Sequence, residues 1–416
     1  MDISIKLSII ALICLSRGLC QYEGYDYETD YDPEPNEPYH PPVQFTQNVD
    51  YSDPQIIYTN DCARECFCPP GLIMYCDNRK LKNIPKIPSR IQQLYLQFND
   101  IEAVTMKSFI NATSLKEINL SHNKIKSNKI EVGVFAKLRK LEQIFMHHND
   151  LEEIPFDLPG SVERLSLAFN KIVRINDDDL QGLVKLTMLD LCNNHIDNVK
   201  SKTLNKLGRL MQLNMCNNKL HFMPASLPPS LMYLSIENNS ISNIPDDYFT
   251  NLPNLLAVRM SHNNLEEIPT KMFNLPNLVE LNLGHNKLQH VFFIPRSLQH
   301  LYIEDNELES LNMTIMCPKI DHSNTNRLTY LRVDQNKLKA PISTFAYLCF
   351  PNMQRIYYGE QKHAEGETPK VQEPMLTHPS VSEEEDEDED DDDREGIAEY
   401  RHEEYGVEDN FNYYSY

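Results

Sequence analysis

Leu94-Tyr95-Leu96-Gln97-Phe98-Asn99-Asp100-Ile101 is one copy of a pattern, apolar-x-apolar-x-x-Asn-x-apolar, that recurs through the middle of this chain. Eleven copies can be read, with asparagines at Asn99, Asn123, Asn149, Asn170, Asn194, Asn218, Asn239, Asn263, Asn286, Asn306 and Asn336. The intervals run from 20 to 26 residues, with a last one of 30, which is the period of leucine-rich repeats. Within each copy the alternation forms a short strand. Residues such as Leu281 and Leu283 point inward, and Glu280, Asn282 and Gly284 point outward. Stacked copies make a parallel sheet. The asparagine amide both donates and accepts, so it is expected to satisfy the backbone groups of the turn leaving each strand. Ile154-Pro155, Ile244-Pro245 and Ile268-Pro269 follow the turns, and proline's fixed φ suits extended or irregular backbone rather than long helices. The fold class is a leucine-rich-repeat solenoid, with short parallel strands on one side and a mostly irregular convex side.

Working outward, the first twenty residues carry Lys6, an apolar run from Leu7 to Leu15, and Gly18 and Cys20 at the positions before a cleavage site. This reads as a secretory signal peptide, 1–20, with the secreted chain starting near Gln21. No later stretch has the twenty or so apolar residues of a membrane span. Cleavage leaves eight cysteines in an oxidising compartment, where disulfides are the default.

The net charge of -22 is unevenly placed. Residues 21–61 hold ten acids and no Lys or Arg, and residues 363–416 hold twenty acids against Lys370, Arg394 and Arg401. Once the +1 of the first twenty residues is counted, 62–362 carries +4. Two acidic arms therefore flank a mildly basic body, and strongly acidic arms argue against a nucleic-acid partner. No phosphate loop, Gly-x-Ser-x-Gly elbow or His-Glu-x-x-His helix is present, so an enzyme is not expected.

A solenoid exposes apolar edges at its ends and needs caps. Cys62, Cys66, Cys68 and Cys76 precede the first repeat, and Cys317 and Cys349 bracket the longest interval. Stapled caps are the economical reading, with zinc as the rival for the first cluster. The expected boundaries are an N-terminal cap over 62–91, repeats over 92–340 and a C-terminal cap over 341–362.

With that cap spacing, those intervals and the bracketed last one, the chain resembles the small leucine-rich proteoglycans of the extracellular matrix. Its tyrosine-rich acidic arm is similar to that of the fibromodulin, lumican and keratocan class, and the added acidic tail to a member of bone and tooth matrix. One departure is seven residues, Pro69 to Tyr75, between the third and fourth N-terminal cysteines, where that class has nine. The resemblance implies Cys62–Cys68, Cys66–Cys76 and Cys317–Cys349 bridges, sulfated tyrosines, keratan sulfate, fibrillar collagen as partner and roles in matrix organisation and cell attachment.

Tyr22, Tyr25, Tyr27, Tyr31, Tyr39 and Tyr51 stand among acids and are the expected sulfation sites. Glu383, Glu384, Glu385, Asp386, Glu387, Asp388, Glu389, Asp390, Asp391, Asp392 and Asp393 form an unbroken acidic run. Carboxylates at that density suit Ca²⁺ or a hydroxyapatite surface. The sequons place N-glycans at Asn111, Asn119, Asn238 and Asn312. Asn119 lies on an outward strand position, and a glycan there shifts the expected ligand face toward the C-terminal repeats. The candidates for collagen contact are Arg259, Glu280, His300, Tyr302, Glu304, Arg332 and Asp334. Cys192 and Cys216 share one outward position on consecutive repeats and are expected as neighbours, close enough for a bridge, with partly exposed free thiols as the favoured reading and sequence unable to decide between them. His147-His148 invites a metal reading, set aside because consecutive strand residues face opposite sides. Other candidate partners are basic growth factors, sequestered as by a soluble decoy, cell-surface integrins and a second copy of the chain.

Overall fold

The computed structural model describes residues 61–199, 203–320 and 325–362. The signal peptide, the six arm tyrosines and the acidic run Glu383–Asp393 lie outside the described residues.

Thirteen parallel three-residue strands, from Ile73–Tyr75 to Arg355–Tyr357, form one sheet in which each strand pairs with the next along the chain. The alternation explains the register. The middle residue of each strand points in, and Leu94 pairs with Ile118, Ile118 with Ile144 and Ile144 with Leu165, all at 0–1 % exposure. Opposite the sheet are a two-stranded ribbon, Arg174–Ile175 with Asn198–Val199, and helices of one turn such as Met106–Phe109 and Met313–Met316. The main apolar core runs from Met74 to Phe350, and a small separate cluster holds Ala168, Cys192 and Cys216. Phenylalanines line its far side, with Phe249–Phe273 and Phe273–Phe292 ring centroids 5.3 and 5.6 Å apart.

The repeat asparagines do more than close their own turns. Asn123 Nδ2 donates to Leu120 O (3.1 Å) and Ser121 O (3.1 Å) in its own repeat, and to Leu96 O (2.9 Å) in the repeat before. Its Oδ1 accepts from Ile101 N (3.1 Å), also in the repeat before. The same set recurs at Asn149, Asn170 and onward to Asn336, giving a buried amide ladder that ties each turn to its neighbour.

Cys62–Cys68 and Cys66–Cys76 are bridged as the resemblance implied. The sheet does not stop at the expected boundaries: Ile73–Tyr75 lies in the N-terminal cap and Arg355–Tyr357 in the C-terminal cap. Each cap donates a strand because an exposed sheet edge needs a partner. Two cysteine expectations are corrected. Cys192 and Cys216 are not free, partly exposed thiols; they are bridged, 0 % and 8 % exposed, with Cα atoms 4.5 Å apart on adjacent strands. Cys317 and Cys349 stand as neighbouring thiols rather than a bridge. Cys349 Sγ points at Cys317 O (3.9 Å), Cys317 Sγ at Lys319 O (3.9 Å), and burial with the neighbouring thiol pushes Cys349 up to about 12.

Candidate functional site on the outward face of the sheet

In the C-terminal repeats the register lines up Tyr233, Ala257, Glu280, His300 and Tyr330 in one row and Ser235, Arg259, Asn282, Tyr302, Arg332 and Tyr357 in the next. Five of the seven candidates for collagen contact fall in these rows, and Glu304 and Asp334 follow two residues after Tyr302 and Arg332. Arg259 Nε pairs with Glu280 Oε1 at 2.7 Å across adjacent strands. Arg332 Nε donates to Asp334 Oδ1 (2.9 Å), its Nη1 lies 3.6 Å from Glu304 Oε1, and its guanidinium sits 5.5 Å from the Tyr357 ring centre. The Tyr302 and Tyr330 rings are 5.2 Å apart, and His300 meets Tyr330 edge-on at 6.4 Å.

Glu304 is the unusual member. It is 5 % exposed, burial raises its carboxyl above the ordinary carboxylate range, and Oε2 has no hydrogen-bond partner among the described residues. Space for it comes from Gly284 on the adjacent repeat, where a Cβ would stand 2.5 Å from Glu304 Oε1. Sequence reasoning missed Tyr233, Tyr330, Tyr357 and Gly284, although the repeat offsets that selected Glu280 and His300 assign Tyr233 and Tyr330 to the same row.

A second feature went unread in the N-terminal repeats. The residue before each ladder asparagine is left-handed, with φ of 56° at Phe98, 50° at His122, 53° at His148 and 52° at Phe169. This stacks their rings in a column, with centroids 4.4, 4.1 and 4.0 Å apart. The positive φ also overturns the reason for setting His147-His148 aside: the pair does not alternate across the sheet. His147 and His148 have ring centroids 5.8 Å apart, and both touch His122. Among the described residues no group of His, Cys, Asp or Glu is arranged to hold a metal ion. Burial and mutual repulsion instead push His147 and His148 down to about 4.

The sequons are split. Asn111, Asn238 and Asn312 are exposed. Asn119 is half-buried on the outward face, with its Oδ1 accepting from Ser121 N (3.0 Å) and Oγ (2.7 Å).

Between the two halves lies Asp190. Its Oδ1 accepts from Cys192 N (3.1 Å), as Asn119, Asn214 and Asn282 accept from Ser121, Cys216 and Gly284 at the same place in other repeats. A carboxylate here is buried where an amide suffices, and burial pushes Asp190 up to about 6. Asp190→Asn keeps the acceptor without the charge. The substitution is expected to stabilise the protein by about 2 kcal/mol at pH 7.5, read as a higher urea midpoint, with the gain gone at pH 4, where Asp190 is already neutral.

Residues 61–88 match the family model described as leucine rich repeat N-terminal domain, and 89–151, 229–288 and 258–308 match the leucine rich repeat model. Osteomodulin of Mus musculus is 57% identical over 85% of this chain and 84% of its own, and osteomodulin of Bos taurus 54% identical over 84% of each. Keratocan of Homo sapiens is 42% identical over 76% of this chain and 93% of its own. Among solved structures, the leucine-rich-repeat domain of APL1 aligns over 66% of this chain and 74% of its own with a TM-score of 0.52 at 22% identity, which speaks for the fold alone. Among the described residues no helix is long and apolar enough to cross a membrane. With capped repeats, a matching N-terminal domain and relatives of this identity along most of its length, the chain belongs to the small leucine-rich proteoglycan family of the extracellular matrix.

Proposed function

We propose that this matrix protein holds fibrillar collagen on the outward face of its C-terminal repeats and calcium-phosphate mineral on the run Glu383–Asp393. One observation carries the collagen reading. The Tyr302 and Tyr330 rings, 5.2 Å apart, sit on the outward face beside Arg332, which is paired with Glu304 and Asp334. A polar, rod-like partner would meet charge and aromatic surface together there, and the aromatics supply contact area at low entropic cost. The sheet beneath is pinned by the asparagine ladder, so little ordering is needed on binding. For the mineral reading the support is the density of oxygen ligands for a hard cation.

The test uses full-length secreted protein carrying Tyr302→Ala with Glu304→Gln, and separately protein with the eleven acids of 383–393 replaced by Asn and Gln. The first is expected to bind type I collagen fibrils roughly 30-fold more weakly with hydroxyapatite retention unchanged; the second should reverse that pattern. Unchanged collagen binding in the first variant, with an unchanged urea midpoint, would reject the outward face as the site.

A further inference from the structure

Three residues before the start of each strand, the chain passes along one edge of the sheet. In the C-terminal half this position has a structural duty. Ser230 Oγ donates to Leu210 O, Asn254 and Asn277 Nδ2 to Pro229 O and Pro253 O, and Ser297 Oγ to Leu275 O, each tying one repeat to the one before. Ser161 does the same with Leu141 O. Of the other positions in the N-terminal repeats, Ser114 is neutral and Arg90, Lys140, Lys185 and Arg209 are cationic, whereas in the C-terminal half Arg327 is the one cation at this position. Arg139 and Lys206 stand close by in sequence.

Most of these edge cations differ from several cations elsewhere on the body in having no ion pair among the described residues. Away from the edge, Arg259, Arg332, Lys337, Lys339 and Lys362 in the C-terminal half and Lys124 and Lys171 in the N-terminal half are in ion pairs. Arg139, Lys140, Lys185, Lys206 and Arg209 are exposed, and none has an ion pair among the described residues. The basic excess of the body is concentrated here as well, since residues 62–150 hold fourteen Lys or Arg against eight Asp or Glu. Glu142 and Glu163 interrupt the edge, leaving a row of separated cations rather than a uniform field. Arg90 keeps such a tie, donating from Nη1 to Gly71 O, whereas Lys140, Lys185 and Arg209 stand at the staple position as exposed cations.

We infer that this cationic edge is the docking site of the chain's own acidic segment, residues 21–61. The first contact is already formed: Asp61, the last acid of the segment, pairs with Arg90 at 3.2 Å, and Arg90 occupies the edge position of its repeat. The remaining nine acids of 21–61 meet no Lys or Arg within their own stretch. Reach is ample. From Arg90 to Arg209 the edge crosses five strand spacings, about 24 Å, whereas forty residues can extend beyond 100 Å. Tethering raises the effective concentration to the millimolar range, which favours this occupant over a free polyanion of similar charge. Docking holds the edge neutral and withholds it from other polyanions, and sulfation of the arm tyrosines would tighten it. Contacts between exposed charges are screened by salt, so the docked state is reversible.

The experiment is zero-length carbodiimide cross-linking of the full-length protein, mixed one to one with isotope-labelled protein and mapped by mass spectrometry. Expected are same-molecule links from acids between Glu23 and Asp53 to Lys140, Lys185 and Lys206, lost in roughly 0.5 M NaCl. The variant Lys140→Gln, Lys185→Gln and Arg209→Gln changes exposed residues only and should lose the Lys206 link too, at an unchanged urea midpoint. Protein whose acids from Glu23 to Glu37 are replaced by Asn and Gln should be retained on heparin at distinctly higher salt than the unaltered chain. Links only between labelled and unlabelled molecules, links to the edge from 363–416 instead, or heparin retention indifferent to the arm's charge would each overturn the assignment, the last by showing an edge open to external sulfated glycans.

Discussion

Asn170→Ala is expected to lower the unfolding free energy by about 4 kcal/mol, the net cost of leaving several buried backbone groups unsatisfied at once. Asn170 is 6 % exposed. Its Nδ2 donates to Met146 O, Leu167 O and Ala168 O at 3.0, 3.0 and 3.1 Å, and its Oδ1 accepts from Leu151 N at 3.0 Å. Alanine removes all four bonds. Because the Met146 and Leu151 bonds reach into the preceding repeat, the loss also weakens the interface between repeats, on which a solenoid's cooperativity depends. Urea unfolding should show a lower midpoint. Asn170→Asp should be no milder: it keeps the acceptor for Leu151, points oxygens at three carbonyls and buries a charge. A loss below about 1 kcal/mol would mean that the ladder is redundant with the strand hydrogen bonds.

Acidification is the second large effect. His147 and His148 are held near 4, below the value of about 6.5 for an unfolded imidazole. Their folded pKa is depressed, so the unfolded chain binds more protons between these values. The stabilisation they confer as neutral groups is therefore complete above about pH 6.5 and is lost as pH falls from there toward 4. Each tenfold change in proton affinity is worth about 1.4 kcal/mol, so two such groups in a dry interior would amount to about 7 kcal/mol. Both rings keep some contact with water, and about 3 kcal/mol is expected between pH 7 and pH 4. His122, lowered by burial in the same column, adds in the same direction.

Asp190 acts in the opposite sense. Its folded pKa of about 6 is raised, so its contribution is present at low pH and lost as pH rises through 3.8 to 6. The histidine effect is therefore cleanest in Asp190→Asn protein. There, His148→Phe keeps a ring between His122 and Phe169 and removes one titrating group, and it should roughly halve the slope of stability against pH. An unchanged slope would place the acid sensitivity elsewhere.

Much of this molecule is written locally. The repeat offsets alone assign Leu281 and Leu283 to the core, Glu280 and Tyr302 to the outward face, and an amide to each turn, because strand alternation and a turn's unsatisfied backbone groups are properties of a few consecutive residues. Two of the three bridges that the family resemblance implied form in the N-terminal cap, where Cys62 and Cys68 are close in sequence as well as in space.

What the sequence could not show is set between repeats. The left-handed φ of His148 swings its ring onto His122 and Phe169, so adjacent histidines gather on one side where strand alternation would have parted them. The Cys192–Cys216 bridge needed backbones 4.5 Å apart, and the raised pKa of Asp190 needed a neighbourhood that buries it. The unpartnered oxygen of Glu304 depends on the absence of a side chain at Gly284, a residue twenty positions earlier. Residue types and their period determined the fold, the inward and outward faces and the acidic arms. The tertiary structure decided which outward residues are buried, bridged, stacked or left without a partner, because each lies against residues about one repeat away, and packing across that gap is not encoded in any single stretch of chain.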